Sequence, residues 1–227
     1  MIPKAIVFDF DGVLTVGGEG LKQQAWDILA LPWHEASVAR LSAKRQKISG
    51  GKRSRYDILE ETFMAFGGSE VDILTAAYAD CYNSIVQQLL EKSGMPEGTV
   101  EVLEELSKLC PLFVNSATPE KAVEESVVKF GVRKYFTGVY GQPTGKVDNL
   151  KRVLAVANQL PGPLDVLPRS IVFVGDGNND RKAAEEFGCR FIGIANDWNK
   201  WGIGEAPDFP VVADIRSVPD IVETFRD

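Results

Sequence analysis

Four short apolar runs constrain this chain more than any other feature. They are Ala5–Phe8, 112–115, Ile171–Gly175 and Arg190–Ile194, each bounded by Gly, Asp, Ser or Pro and followed by a segment of helical periodicity. Runs that are apolar at every position belong in a sheet buried on both faces, and strands alternating with helices make that sheet parallel. Weaker strand candidates lie near 138–140 and Val211–Val212. The expected fold class is therefore α/β, with a parallel sheet.

The rhythm breaks after the first run. Between Thr15 and Pro96 there is no strand pattern, only amphipathic stretches at 20–31, 52–66 and 71–92, stopped by Pro32, Gly67-Gly68 and Gly94. A crossover between parallel strands needs about a dozen residues, so roughly 80 residues of helix predict an inserted domain. The expected division is a core of 1–15 and 96–227 with an all-helical insert at 16–95. Gly17-Gly18-Glu19-Gly20, at the start of the insert, is read as a hinge whose glycines absorb a change in backbone dihedrals.

Composition narrows the partners. The 227 residues suffice for one core plus a small insert, and a net charge of −7 excludes a protein that binds nucleic acid with its whole surface. Cys81, Cys110 and Cys189 are widely separated and His34 is the sole histidine, which disfavours both a disulfide framework and a zinc site. Cys81 and Cys110 are expected on apolar helix faces, and Trp198 and Trp201 beneath the loop that follows Arg190–Ile194. No apolar run approaches the about 18 residues of a membrane span, and no signal-peptide core fits the N-terminus. The expectation is a cytoplasmic protein, monomer or homodimer, with neither nucleic acid nor membrane as partner.

Ligands of open α/β sheets collect at the carboxyl ends of the strands. Three runs end there in polar residues: Asp9-Phe10-Asp11-Gly12, Asn115-Ser116-Ala117-Thr118, and Gly175-Asp176-Gly177-Asn178-Asn179-Asp180. Lys146 precedes a helix expected from Val147. On an extended chain Asp9 and Asp11 share a face about 6.6 Å apart, and Gly12 lets the backbone turn sharply towards a ligand. The alternative is that each aspartate caps a turn, that Ser116 or the better-placed Thr118 caps the next helix, and that Lys146 is a solvated lysine. Clustered carboxylates at low dielectric repel, and a hard divalent cation such as Mg²⁺, which keeps waters and adds phosphate oxygens, relieves that repulsion. Together the residues suggest phosphoryl transfer: Asp9 as carboxylate nucleophile, Asp11 as general acid and then base, and Ser116, Lys146 and nearby main-chain N–H groups, including that of Ala117, on the phosphate oxygens.

Phe8-Asp9-Phe10-Asp11-Gly12-Val13-Leu14-Thr15 resembles the first motif of the haloacid dehalogenase superfamily. Ser116 is similar to its second motif, Lys146 to its third, and Gly175-Asp176-Gly177-Asn178-Asn179-Asp180 to its fourth, in that order along nearly the whole chain. The resemblance implies a Rossmann-like three-layer α/β/α core. It implies Mg²⁺ held by the Asp9 carboxylate, the Asp11 main-chain carbonyl and Asp176, with Asp180 a further ligand or an orienter. The insert stands where phosphoglycolate-phosphatase-like and β-phosphoglucomutase-like members carry their cap, and an acid at position 11 resembles phosphatases and phosphomutases.

From Arg40 to Arg55 the chain has seven basic residues (Arg40, Lys44, Arg45, Lys47, Lys52, Arg53, Arg55) and no acid. They form a solvated face or, with Lys52 and Arg53 beside Ser49-Gly50-Gly51, a loop that binds a second anionic group of the substrate. The expected activity is hydrolysis of a small anionic phosphorylated metabolite through an aspartyl-phosphate. A phosphomutase of the β-phosphoglucomutase type is the nearest rival. A phospho-receiver, or an inactive binding protein on the same scaffold, is the alternative of another class.

Overall fold

The computed structural model describes residues 3–31, 54–67, 69–161, 165–197, 199–202 and 207–225. His34, Arg40, Lys44, Arg45, Lys47, Lys52, Arg53 and Trp198 lie outside these. The chain divides into two compact units, 1–16 with 94–227, and 17–93.

The first unit is built on a six-stranded parallel sheet in the order β3-β2-β1-β4-β5-β6. Its strands are β1 (Ala5–Phe8), β2 (Leu112–Pro119), β3 (Phe136–Gln142), β4 (Ile171–Gly175), β5 (Arg190–Ile194) and β6 (Val211–Val212). The chain builds outward from β1 through β2 to β3, then returns to place β4 on the other side of β1. The strand order thus reverses at β1, where open sheets form their ligand crevice.

Side-chain alternation covers both faces. Ala5, Val7, Phe113, Ile171 and Phe173 form one cluster with Leu150, Val153 and Ala157 of α6 (Lys146–Ala157) and Ala183 and Ala184 of α7 (Asn178–Phe187). Ile6, Phe8, Val172 and Val174, which alternate with these, are equally inaccessible. Among the described residues the other α-helices of this unit are α4 (Thr99–Ser107), α5 (Glu120–Lys129) and α8 (Val218–Thr224).

Two strands outrun their apolar cores. β2 continues past Asn115 through Ser116, Ala117 and Thr118, with a register irregularity before Pro119 pairs with Gln142. β3 covers seven residues where hydropathy marks three, because Thr137 and Gly141 break the apolar pattern on either side without breaking the strand. Gly141 is required by close approach: a Cβ there would lie 2.4 Å from the Thr118 carbonyl oxygen.

The second unit contains α1 (Gly18–Ala30), α2 (Arg55–Ala65) and α3 (Val71–Ser93), with α3 against both others. Helix α2 starts at Arg55 because Ser54 and Asp57 form a reciprocal cap: Asp57 N–H donates to Ser54 Oγ (3.2 Å) and Ser54 N–H to Asp57 Oδ2 (2.7 Å). Aromatic pairs join the helices, with Trp26 and Tyr82 ring centres 4.6 Å apart and Phe63 and Tyr78 5.1 Å apart. The chain leaves and re-enters the first unit at adjacent points, where Val16 N–H donates to the Gly94 carbonyl (3.1 Å).

The cysteines depart from their expected places. Cys81 is on α3 but exposed, and Cys110 is buried just beyond the end of α4 rather than on a helix. Helix α3 turns residue 81 away from the face that carries Ala79, Tyr82 and Val86. Trp201 packs edge-on against Phe191 and Phe209, with ring centres 5.8 and 5.2 Å away.

Candidate active site

Strand β1 ends at Phe8, and Asp9 follows with its N–H still donating to the Val174 carbonyl of β4 (2.8 Å). Its Oδ1 accepts from Phe10 N–H (2.8 Å) and pairs with Lys146 Nζ (2.8 Å). Lys146 is the first residue of α6, so its helix begins one residue before the expected start, and its ammonium also pairs with Asp180 Oδ1. The ammonium lies 5.7 Å from the centre of the Phe173 ring.

Asp180 does two things at once. Its Oδ2 accepts from Gly177 N–H (2.9 Å), which caps α7, while Oδ1 faces Lys146. Capping and site chemistry, weighed above as alternatives, are here combined in one side chain. Gly175 makes room for it, since a Cβ there would fall 2.4 Å from Asp180 Cβ.

Asp176 is held from two sides. Its Oδ2 accepts from Asn196 Nδ2 (2.8 Å), and its main-chain carbonyl from Asn199 Nδ2 (2.9 Å). Gly12, at φ +83°, passes so close that a Cβ would lie 2.1 Å from Asp176 Oδ2. Any side chain at position 12 would displace that carboxylate.

Asp9, Asp176 and Asp180 each offer a carboxylate oxygen, and the three oxygens lie within 4.8 Å of one another. The Asp11 carboxylate stands outside this trio and accepts from Thr118 Oγ1 (2.8 Å). Thr118 N–H in turn donates to Ser116 Oγ (3.0 Å). Ala117 and Lys146 border a shallow depression of about 260 Å³ shared with Asn179 and Lys182. Lys52 and Arg53, the other residues read as substrate-binding, fall outside the described residues.

The electrostatics follow from burial. Burial lifts the Asp9 carboxyl well above the ordinary carboxylate range, and Asp180, Asp176 and Asp11 push the same way while Lys146 opposes them. For Lys146, burial disfavours the charge, but Asp180 and Asp9 outweigh it and hold the ammonium protonated beyond its usual range. One ammonium among these carboxylates leaves net negative charge in a buried, all-oxygen donor set. That set fits a hard divalent cation.

Three features escaped the sequence. Thr118 was the better-placed cap for α5 in the alternative reading, yet Pro119 occupies the N-cap with no side-chain bond, and the Thr118 hydroxyl goes to Asp11 instead. The extension of β2 past Asn115 holds Thr118 in the strand and away from the helix amides. Asn196 and Asn199, which brace Asp176, and Asn149, which bonds to Asn115, sit in segments with no motif signal.

Comparison with known proteins agrees with the geometry. A sequence profile of the haloacid dehalogenase-like hydrolases matches residues 3–188. A phosphoglycolate phosphatase of Yersinia pseudotuberculosis is 25% identical over 199 residues, 86% of this chain and 82% of that protein. Among solved structures, a haloacid dehalogenase superfamily hydrolase of Geobacter sulfurreducens superposes with TM-score 0.64 at 18% identity, covering 97% of this chain and 96% of that one. CbbY of Rhodobacter sphaeroides, solved in complex with phosphate, gives 0.67 at 18% identity, covering 95% of each chain. The match to the profile extends from before β1 to the end of α7 and so takes in every acidic residue of the strand-end cluster: the chain belongs to the haloacid dehalogenase-like hydrolase family.

Proposed function

We propose that this enzyme is a Mg²⁺-dependent phosphatase that hydrolyses a small anionic phosphorylated metabolite through an aspartyl-phosphate. The observation that carries the reading is the division of labour among the aspartates. Asp9 stands with Asp176, Asp180 and Lys146, while Asp11 is turned aside onto Thr118.

In this reading Asp9 attacks phosphorus with a carboxylate oxygen, and the bond from phosphorus to the ester oxygen breaks. Asp11 delivers a proton to the departing ester oxygen, then takes one from the water that attacks phosphorus in the second step and frees the Asp9 carboxylate. Thr118 orients the Asp11 carboxylate for both transfers. Lys146 and the Ser116 hydroxyl bind the non-bridging oxygens, with main-chain N–H groups near Ala117. Asp9, Asp176 and Asp180, with the Asp11 main-chain carbonyl, are the groups that would hold Mg²⁺. Once bound, that ion offsets the repulsion between carboxylates and phosphate and polarises the phosphoryl oxygens.

The helical unit is the substrate-selecting insert of this proposal. Relatives named phosphoglycolate phosphatase make a phosphorylated carboxylate the first substrate class to test. Lys52 and Arg53 are assigned to its second anionic group, and Arg53→Ala that leaves kcat/KM unchanged on every substrate removes that assignment.

Release of inorganic phosphate from p-nitrophenyl phosphate, 2-phosphoglycolate and a panel of phosphorylated metabolites tests the whole. Steady release that stops with EDTA and returns with Mg²⁺ is expected. Activity indifferent to EDTA, or pure protein that transfers the phosphoryl group to a sugar hydroxyl without releasing phosphate, overturns it.

A further inference from the structure

Asn115, where the apolar part of β2 ends, and Asn149, the fourth residue of α6, have no exposed surface. A buried carboxamide costs free energy unless its donors and acceptor are met, so an apolar residue would fill either place with less demand. Here the two side chains are joined. Asn149 Nδ2 donates to Asn115 Oδ1 (3.1 Å), and Asn115 Nδ2 donates to the main-chain carbonyl of Lys146 (2.9 Å).

Asn149 Nδ2 also lies 3.3 Å from the Thr144 carbonyl and 3.4 Å from that of Gly141. On its other side Asn149 Oδ1 accepts from the Arg152 guanidinium (3.1 Å), which bonds Glu120 (2.8 Å) and stacks 4.1 Å from the Tyr140 ring centre. Glu120 accepts in turn from Gly141 N–H (3.2 Å).

The Lys146 carbonyl opens α6 and already has a helical acceptor role, so the bond from Asn115 occupies its second lone pair. That bond is not needed to satisfy the helix. What it does is tie the main chain of Lys146 to the strand that carries Ser116, while the ammonium at the other end of the side chain meets Asp9 and Asp180. A lysine is a point charge on four rotatable methylenes, and its reach is defined only if its backbone is.

We infer that Asn115 and Asn149 are positioning residues that hold Lys146 in register with Asp9, so that its ammonium reaches the phosphoryl oxygens. The inference rests on the phosphatase reading above and deepens it. The side chains of the pair bond to each other and to the Lys146 main chain rather than to the Asp9 carboxylate, so the role assigned to them is exerted through Lys146.

A double-mutant cycle with p-nitrophenyl phosphate tests this. Asn149→Leu keeps size but removes the donor, and it should lower kcat/KM by about tenfold or more, the effect of losing a bond that places a charge. Inhibition by inorganic phosphate should weaken in parallel. In a Lys146→Ala background the same substitution should change kcat/KM by less than about twofold, because the group it positions is gone. Losses that multiply in the double variant, or unchanged kcat/KM in Asn149→Leu alone, overturn the inference. If Asn149→Leu fails to fold, Arg152→Met, which removes the outer link of the chain, is read through the same cycle with the same criterion. Wild-type protein without turnover in this assay instead overturns the phosphatase reading.

Discussion

The two units bury different things. Beneath the strand ends of the first lie Asp9, Asp11, Asn115, Ser116, Thr118, Asn149 and Asp180, all polar and nearly inaccessible, whereas the described helices of the second bury only two polar side chains, Thr62 and Thr75. Exposed apolar side chains occur in both, among them Leu31, Ile73 and Met64 of the second unit and Val128 and Leu109 of the first. The first unit holds three carboxylates together at its strand ends, where burial, Asp180 and Asp176 raise the cost of ionising Asp9. Among the described residues the helical unit holds no such carboxylate cluster. Activity and stability should therefore respond to substitution differently in the two.

The hardest test of that contrast is Asp9→Asn. It should lower phosphatase turnover by about 10⁴-fold or more, as expected for a lost nucleophile, while thermal unfolding shows a melting temperature unchanged or raised. A fall in stability would mean that Asp9 is a structural anchor and would erase the distinction.

Trp26→Ala makes the complementary break. Trp26 is 3% accessible and lies on Tyr82 in the helical unit. Its loss should destabilise that unit by about 3 to 5 kcal/mol in calorimetry, with Mg²⁺ still raising the melting temperature of the first unit.

Thr118→Val removes the donor to Asp11 and leaves the strand intact. Turnover should fall about tenfold with little change in KM, in steady-state assays. No change would show that Asp11 orients itself.

Metal and pH sharpen the comparison further. Burial, with Asp180, Asp176 and Asp11, raises the Asp9 carboxyl on folding. A raised acid binds its proton more tightly in the folded than in the unfolded state. Its contribution to stability is therefore complete below the ordinary carboxylate range and is lost as pH rises through the raised value. In EDTA the first unit should melt a few degrees lower at about pH 8 than at about pH 5, and Mg²⁺ should reverse the loss at the higher pH. A melting curve indifferent to both would remove the carboxylate strain.

The smallest effect is chemical. Burial pushes the Cys110 and Cys189 thiols of the first unit up to about 12, whereas Cys81 of the second is exposed. Thiolate is scarce at both near neutrality, so a maleimide should label exposed Cys81 first, half-buried Cys189 more slowly and buried Cys110 only on unfolding, as followed by mass spectrometry. Equal labelling would mean that the first unit opens as readily as the second.

Particular residues show how far the chain could be read unaided. The runs at Ala5–Phe8 and Ile171–Gly175 appear as strands with those bounds, since continuous apolar sequence has one stable location. β3 was legible only at its centre, because Thr137 and Gly141 interrupt its hydropathy while β2 supplies its pairing. Asp9, Asp176 and Asp180 could be named from their places after strands and before a helix. Thr118 could not, because a threonine before a proline carries the local signature of a cap.

Local order, then, was written in the chain itself: the apolar centres of the strands, the helical stretches between them, and which strand ends are acidic. Solvent partition and backbone sterics act over a few residues and leave those marks in sequence. Which remote groups meet was decided by strand order and register. That Lys146 faces Asp9 and Asp180, that Thr118 bonds Asp11 and that Asn149 reaches Asn115 became true only when β2 and β4 closed on either side of β1. Contacts between distant segments depend on packing that no local pattern encodes.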